Sequence, residues 1–169
     1  MLIISMMPGS RAAVDEMLNR LETFGERLAP KIIGTGFDLA RQVILETFQG
    51  EGHSGVVGGA PWSPLAPRTQ RERAWLGFDP HHPILFRTGT LLESLVDENS
   101  SEHVVVRAQM GPGRWVGRLG TTDDRFEELQ QGVPGRNLPA RPMWPIGDAE
   151  TRFVGLLNER VMKVIGENF

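Results

Sequence analysis

Two overlapping sequence motifs in a glycine-rich segment have the residue types of known binding or catalytic sites. Gly50, Gly52 and Gly55 have the spacing of a dinucleotide fingerprint, and Gly52 to Gly55 enclose a histidine and a serine as a nucleophile elbow does. Both sites require a strand that leads into the turn, and a nucleotide site also requires a helix that begins there. The residues before Gly50 have a helical pattern instead. We therefore expect neither nucleotide binding nor a serine nucleophile here.

His81 and His82 are candidate metal ligands. Adjacent side chains on an extended chain point to opposite sides, and no acidic pair stands at ligand spacing nearby. The chain also has no cysteine, which excludes disulfides, thiolate zinc sites and thiol nucleophiles. We expect no catalytic residue, no metal and no cofactor, and a protein that is not an enzyme.

A basic cluster of Arg68, Arg71 and Arg73 lies on a predicted short helix that ends at Trp75. Such a cluster could bind a phosphate backbone while the indole stacks on bases. Glu72 dilutes the charge, and the net charge of −3 argues against binding nucleic acid through overall charge. We favour a solvated helix face and keep a nucleic-acid-binding module, with these arginines facing DNA, as the alternative function.

The elements that would position these residues predict an α+β fold. It has an N-terminal bent helix or helix pair and a C-terminal helix, both packed on a small, mainly antiparallel β-sheet. Apolar residues recur at three- or four-residue spacing over 10–28, 37–48 and 148–165. Pro30 and the glycines of 34–36 lie between the first two patterns and predict a kink or a break.

The central part of the chain predicts a hairpin and two short helices. Residues 103–109 are rich in β-branched side chains, and 114–119 read as their antiparallel return. Residues 83–95 predict a short buried strand, a turn at Gly89 and a helix, with Thr90 and Glu93 at capping-box spacing. The alternative is one strand running through, which Gly89 would weaken. A further short helix is predicted over 123–131.

The 169 residues are expected to form a single domain, with a tail at 1–9 and a mobile glycine-rich loop at 50–61. Five of the 12 loop residues are glycine, and only Val56 and Val57 offer branched apolar surface. Burial of two valines cannot offset the backbone entropy that is lost when the loop becomes ordered. We therefore expect the loop to become ordered only when a partner covers it. The apolar start of the chain is far shorter than the ~20 residues of a membrane-spanning helix, so no membrane partner is expected.

Four pieces of the chain, in this order, resemble the phage virion-morphogenesis or tail-completion proteins of long-tailed bacteriophages. The pieces are Trp62-Ser63-Pro64-Leu65 with Thr69, Ile84-Leu85-Phe86-Arg87-Thr88-Gly89-Thr90-Leu91, Gly120-Thr121 leading to Gln130-Gln131-Gly132, and Leu138-Pro139-Ala140-Arg141-Pro142. The family has a tyrosine-alanine pair and then a histidine before the glutamine, where this chain has Arg125-Phe126 and Leu129. The polar contacts of that tyrosine and histidine are therefore not carried over.

The resemblance implies a structural virion protein, a tail terminator or neck protein, which assembles in the host cytoplasm as a ring at the head-proximal end of the tail or in the neck. Its implied partners are copies of itself in a sixfold ring, the adjoining tail-tube and neck or connector proteins, and DNA in the lumen. Residues expected at a subunit or partner interface are Val56, Val57, Trp62, Arg87, Pro139, Arg141, Pro142 and Trp144.

Arg141 lies between Pro139 and Pro142, which stiffen the backbone that presents it. We expect its guanidinium to make a bidentate contact with a carboxylate or with backbone carbonyls, either inside the subunit or across the ring.

Overall fold

The computed structural model describes residues 10–85, 88–111 and 114–168. In chain order these residues form helices α1 (Ser10–Gln49), α2 (Pro67–Trp75) and α3 (Thr90–Val96), strands β1 (His103–Gly111) and β2 (Arg114–Thr121), and helices α4 (Arg125–Gln131) and α5 (Asp148–Asn168). A 3-10 turn at Pro134–Arg136 lies between α4 and α5. The predicted α+β class is confirmed, with helices packed on one two-stranded antiparallel sheet.

α1 is one helix of 40 residues that passes through Pro30. The predicted break, and the helix pair that it would create, are therefore wrong. Leu28 and Phe37, which lie on either side of Pro30, are both buried, and burying two such side chains stabilises a continuous helix by about 3–6 kcal/mol, at least the ~3 kcal/mol that an internal proline costs. At Gly36, an added Cβ atom would lie 3.5 Å from Leu157 of α5, which is an ordinary van der Waals contact between the two helices.

The hairpin formed by β1 and β2 lies across the middle of α1. The two strands pair antiparallel from His103 opposite Thr121 to Gly111 opposite Arg114. A Cβ atom on Gly117 would lie 2.7 Å from the side chain of Ile33 in α1. This glycine thus permits the close approach of strand and helix, and the predicted hairpin is confirmed.

Two buried clusters form the core, and α1 contributes to both. One cluster consists of Ile44, Phe48, Trp62, Ile84, Leu91, Leu95 and Met143. The other consists of Leu39, Ala40, Val43, Val57, Ala149 and Phe153. Trp144 packs against both clusters, and its ring meets that of Phe153 edge to face at 5.2 Å. The two halves of the core are therefore joined through one side chain as well as through α1.

The stretch before α3 differs from its prediction. Ile84 and Leu85 form a turn rather than a strand, and Phe86 and Arg87 lie outside the described residues. Gly89 caps α3 in a left-handed conformation, with φ of 83°, and its carbonyl accepts from the Glu93 N–H at 2.9 Å. The predicted capping box at Thr90 is therefore wrong, since the helix begins at that residue instead of being capped by it.

The predicted tail at 1–9 lies outside the described residues. Among the residues that the structure describes, no helix has both the length and the apolar content needed to cross a membrane.

Candidate assembly surface

Arg141 joins two segments that lie far apart in the sequence. Its Nε and Nη2 atoms donate to the Ser63 carbonyl at 3.2 and 3.1 Å, and Nη2 also donates to the Pro64 carbonyl at 3.1 Å. The residue is 4% exposed. The predicted bidentate contact is confirmed in its intramolecular form, with backbone carbonyls as the acceptors.

The guanidinium of Arg141 has no carboxylate partner among the described residues. Burial lowers the pKa of Arg141 below its ordinary value because desolvation disfavours the charged form. Its carbonyl partners meet the donors of the fork without neutralising the charge. The contact therefore fixes the relative position of the two segments more than it contributes electrostatic stabilisation.

Two further contacts connect the same region. The indole N–H of Trp62 donates to the Pro142 carbonyl at 3.0 Å. Gln130, at the end of α4, accepts from the Met143 N–H at 2.8 Å and donates to the Trp144 carbonyl at 3.0 Å. The Gln130 amide thus accepts one backbone hydrogen bond and donates another, as a neighbouring β-strand would. These bonds hold the 138–145 segment against α4.

The glycine-rich segment 50–61 is organised around a carboxylate of α1. Glu46 Oε2 accepts from the Ser54 hydroxyl at 2.8 Å and from the Val56 N–H at 3.0 Å, while Gln42 donates to Oε1 at 3.0 Å. Desolvation alone would raise the pKa of Glu46, but these hydrogen bonds together lower it below its ordinary value. The ionised carboxylate therefore stabilises the folded loop.

Fixed turns complete this segment. Ser54 and Gly58 exchange backbone hydrogen bonds of 3.0 and 2.8 Å, and Gly52, Gly58 and Gly59 have positive φ. Val57 is 1% exposed and packs in the core. The premise of the predicted mobile loop is therefore wrong, because the chain itself supplies the burial and the hydrogen bonds that the composition appeared to lack.

The residues predicted at a partner interface are mostly occupied inside the subunit. Val57, Trp62 and Arg141 are buried in the chain, so they cannot also provide surface for a partner in this conformation. Val56, Pro139, Pro142 and Trp144 are half-buried, and Arg87 lies outside the described residues. The structure brings Trp62, Arg141, Pro142 and Trp144 together, but as an internal junction.

The three arginines of α2 have different environments. Arg68 and Arg71 are exposed. Arg73 is 4% exposed and donates to the carbonyls of Pro83 and His82 at 2.9 and 3.3 Å. For Arg73, both the favoured solvated face and the alternative DNA-facing role are therefore wrong, because its guanidinium is buried and bonds to the chain after α2.

His82 contacts the Glu51 carboxylate at 2.8 Å, and the same carboxylate accepts from the Ile84 N–H at 2.8 Å. Among the described residues no group of three or more histidine, aspartate or glutamate side chains could hold a metal ion. His82 and Glu51 thus join segment 50–61 to the turn before α3.

Asp123 and Arg125 form an ion pair at the start of α4. Hydrogen bonds from the Arg125 side chain, together with its backbone N–H at 2.9 Å, lower the pKa of Asp123 below its ordinary value. The Asp123 side chain is buried and Arg125 is exposed, so the ion pair attaches the start of α4 to the protein interior.

Sequence reasoning did not identify Glu46, Glu51, Arg73 or Gln130 as residues with structural roles. A helical carboxylate followed within ten residues by serine and glycines is the one local signal that could have found Glu46. Gln130 gives no such signal, because its partners become neighbours only in the fold.

No protein-family model, curated protein or solved structure matches this chain. The resemblance to phage proteins therefore stands on the four sequence pieces alone.

Proposed function

We propose that this chain is a structural protein of a phage virion. It assembles as a ring at the head-proximal end of the tail or in the neck, completes the tail and joins it to the head. Its partners are further copies of the chain in a sixfold ring, the adjoining tail-tube and neck or connector proteins, and DNA that passes through the lumen.

The main support is that three of the four sequence pieces that carry the resemblance meet at one junction. Arg141, in the fourth piece, donates to two carbonyls of the first piece, which lies 77 and 78 residues earlier. Gln130, in the third piece, holds the residues that follow the fourth. Because these residues bond to one another's segments, the sequence pieces that contain them would be expected to occur together in one fold.

Copy number tests the proposal most directly. Quantitative mass spectrometry of purified tailed particles from the phage that encodes the chain should find a fixed number of copies, six for one sixfold ring. Sedimentation of the purified protein should show a closed oligomer, alone or with a neighbouring tail protein. A single copy per particle, or none, would overturn the proposal.

Nucleic-acid binding by α2 remains the second candidate, because Arg68 and Arg71 are exposed on the helix that ends at the exposed Trp75. Because Arg73 is buried and Glu72 is acidic, the exposed surface of α2 carries little net positive charge for binding nucleic acid. Retention of single-stranded DNA that falls steeply with salt, and that is lost in Arg71→Glu, would favour this function.

A further inference from the structure

An apolar knob, formed by Trp75, Leu76 and Phe78, lies at the C-terminal end of α2. The three side chains are 85%, 45% and 41% exposed, which makes Trp75 the most exposed of the large apolar side chains that the structure describes. Tryptophan contributes more than most residues to protein interfaces, where it fills desolvated pockets. An indole left in water, with two apolar neighbours, marks a contact surface.

Hydrogen bonds to α2 hold the backbone of this knob in one conformation. The Phe78 N–H donates to the Arg73 carbonyl at 2.9 Å and the Gly77 N–H to the Ala74 carbonyl at 3.1 Å. With Gly77 at a φ of 81°, these bonds form the Schellman arrangement that ends a helix. The buried Arg73 side chain then holds the end of α2 to residues 82 and 83. Docking the knob therefore requires little further ordering of the chain.

An apolar cleft with room for the knob lies elsewhere on the same chain. It has a volume of about 270 Å³ and lies between the base of the hairpin and α4, lined mainly by Ile44, Leu95, Leu119, Phe126, Met143 and Trp144. A dry apolar cavity of about 150 Å³ holds benzene, so this volume accommodates a two-ring indole. Leu119 is half-buried on the core-facing side of β2 and forms part of the wall of this cleft.

The charges beside the knob and the cleft are opposite. Arg68 and Arg71 are exposed on the helix that carries the knob, whereas Asp124 and Glu127 are exposed at the helix that carries Phe126 into the cleft. Within the part of the chain that the structure describes, none of these four residues forms an ion pair. Pairing between two copies would bring the opposite charges together and set the orientation of the contact.

We propose that the knob of one copy inserts Trp75 into the cleft of a second copy, with Arg68 and Arg71 of α2 against Asp124 and Glu127 of α4. The inference rests on the proposed self-assembly and names the contact that produces it. Knob and cleft are different surfaces, so the contact is head-to-tail and can propagate around a ring. The Arg73 contacts hold α2 in place within its own chain, which leaves the knob available to the neighbour.

Sedimentation velocity over a range of concentrations tests the contact. Trp75→Ser removes the indole, and Leu119→Trp fills the cleft with a larger side chain. Each change should weaken self-association roughly 30-fold or more, as the loss of a central interface tryptophan does. Met162→Ser is the matched control, because Met162 is 65% exposed on α5 away from both surfaces, and it should associate as the unchanged protein does. Unaltered circular dichroism and thermal midpoint establish that each variant is folded.

Mixing the two variants gives a sharper result. The Trp75→Ser chain retains its cleft and the Leu119→Trp chain retains its knob, so one intact contact can form between them. At a concentration where the unchanged protein associates but either variant alone is monomeric, the mixture should contain a species of two chains and nothing larger.

The outcomes separate this contact from the proposed function. If Trp75→Ser assembles as the unchanged protein does, the contact is wrong and the ring proposal survives. If assembly depends on Trp75 but purified tailed particles lack the protein, the contact stands and the virion role is wrong. If the unchanged protein is monomeric at all concentrations and Trp75→Ser loses salt-dependent retention of single-stranded DNA, the surface binds nucleic acid and the inference is overturned.

Discussion

For the stabilising role of Arg141, we expect the planar shape of the guanidinium to matter more than its positive charge. Lysine at this position retains the charge but offers one ammonium group, which cannot reach the carbonyls of Ser63 and Pro64 in the same planar geometry. We therefore expect Arg141→Lys to lower the free energy of unfolding nearly as much as Arg141→Ala, by about 1–3 kcal/mol. Chemical denaturation measures this effect.

Arg114→Lys provides the control for that comparison, because Arg114 is exposed on β2 and its replacement should change stability by less than about 0.5 kcal/mol. A stable Arg141→Lys variant beside an unstable Arg141→Ala variant would show that charge, not the fork, is what the site requires.

Asp123 should make stability depend on pH. Its pKa is lowered in the folded state, chiefly by Arg125, so its contribution is fully present above the unfolded pKa and disappears as pH falls through the folded value. The unchanged protein should be more stable than Asp123→Asn at neutral pH, and the difference should shrink below the ordinary pKa of about 4. Denaturation at a series of pH values measures it. A difference that is independent of pH would contradict the ion-pair origin.

At the scale of elements, the turns of segment 50–61 should respond to glycine substitution selectively. Alanine at Gly52 would place Cβ 2.4 Å from the Ala60 carbonyl oxygen at a φ of 108°, whereas at Gly55 the nearest atom is 3.7 Å away. We expect Gly52→Ala to lower the free energy of unfolding by about 2 kcal/mol or more, since both strain and a clash oppose it. Thermal unfolding of both variants tests this, and equal stability would mean that the segment is mobile after all.

Elements that depend on local signals were predictable from the sequence. The hairpin follows from β-branched residues around a glycine turn, and α2 and α5 follow from periodicity and from the residues at their ends. The continuity of α1 was not predictable, because the burial of Leu28 and Phe37 on either side of Pro30 opposes the local effect of that proline. The order of segment 50–61 depends likewise on Glu46, which precedes it in a helix.

In the candidate site too, only the features that depend on local sequence signals were predictable. The contact type of Arg141 could be predicted because prolines flank it, but its acceptors could not, since they lie 77 and 78 residues earlier. Arg68, Arg71 and Arg73 are chemically identical in the sequence. Only the position of the 82–83 segment distinguishes the buried Arg73 from its neighbours.

At the scale of the molecule, Trp144 should couple the two halves of the core. It packs on both clusters, so Trp144→Ala should lower the free energy of unfolding by about 3 kcal/mol. It should also separate the unfolding of the two clusters, which would appear as transitions that no longer coincide between fluorescence and circular dichroism. Trp75→Ala removes an equal side chain from an exposed position and should leave a single transition. A two-state transition in Trp144→Ala would show that α1 alone joins the halves.

The packing of α1 against α5 also governs how the chain can fold while it is being made. Val43 and Phe153 share a cluster but are separated by more than a hundred residues. At a ribosomal rate of about 5–20 residues per second, the apolar face of α1 waits about 5–20 s for its partner. The hairpin, whose contacts are local, can form in that interval. Nascent α1 is therefore the segment on which a holdase chaperone would act.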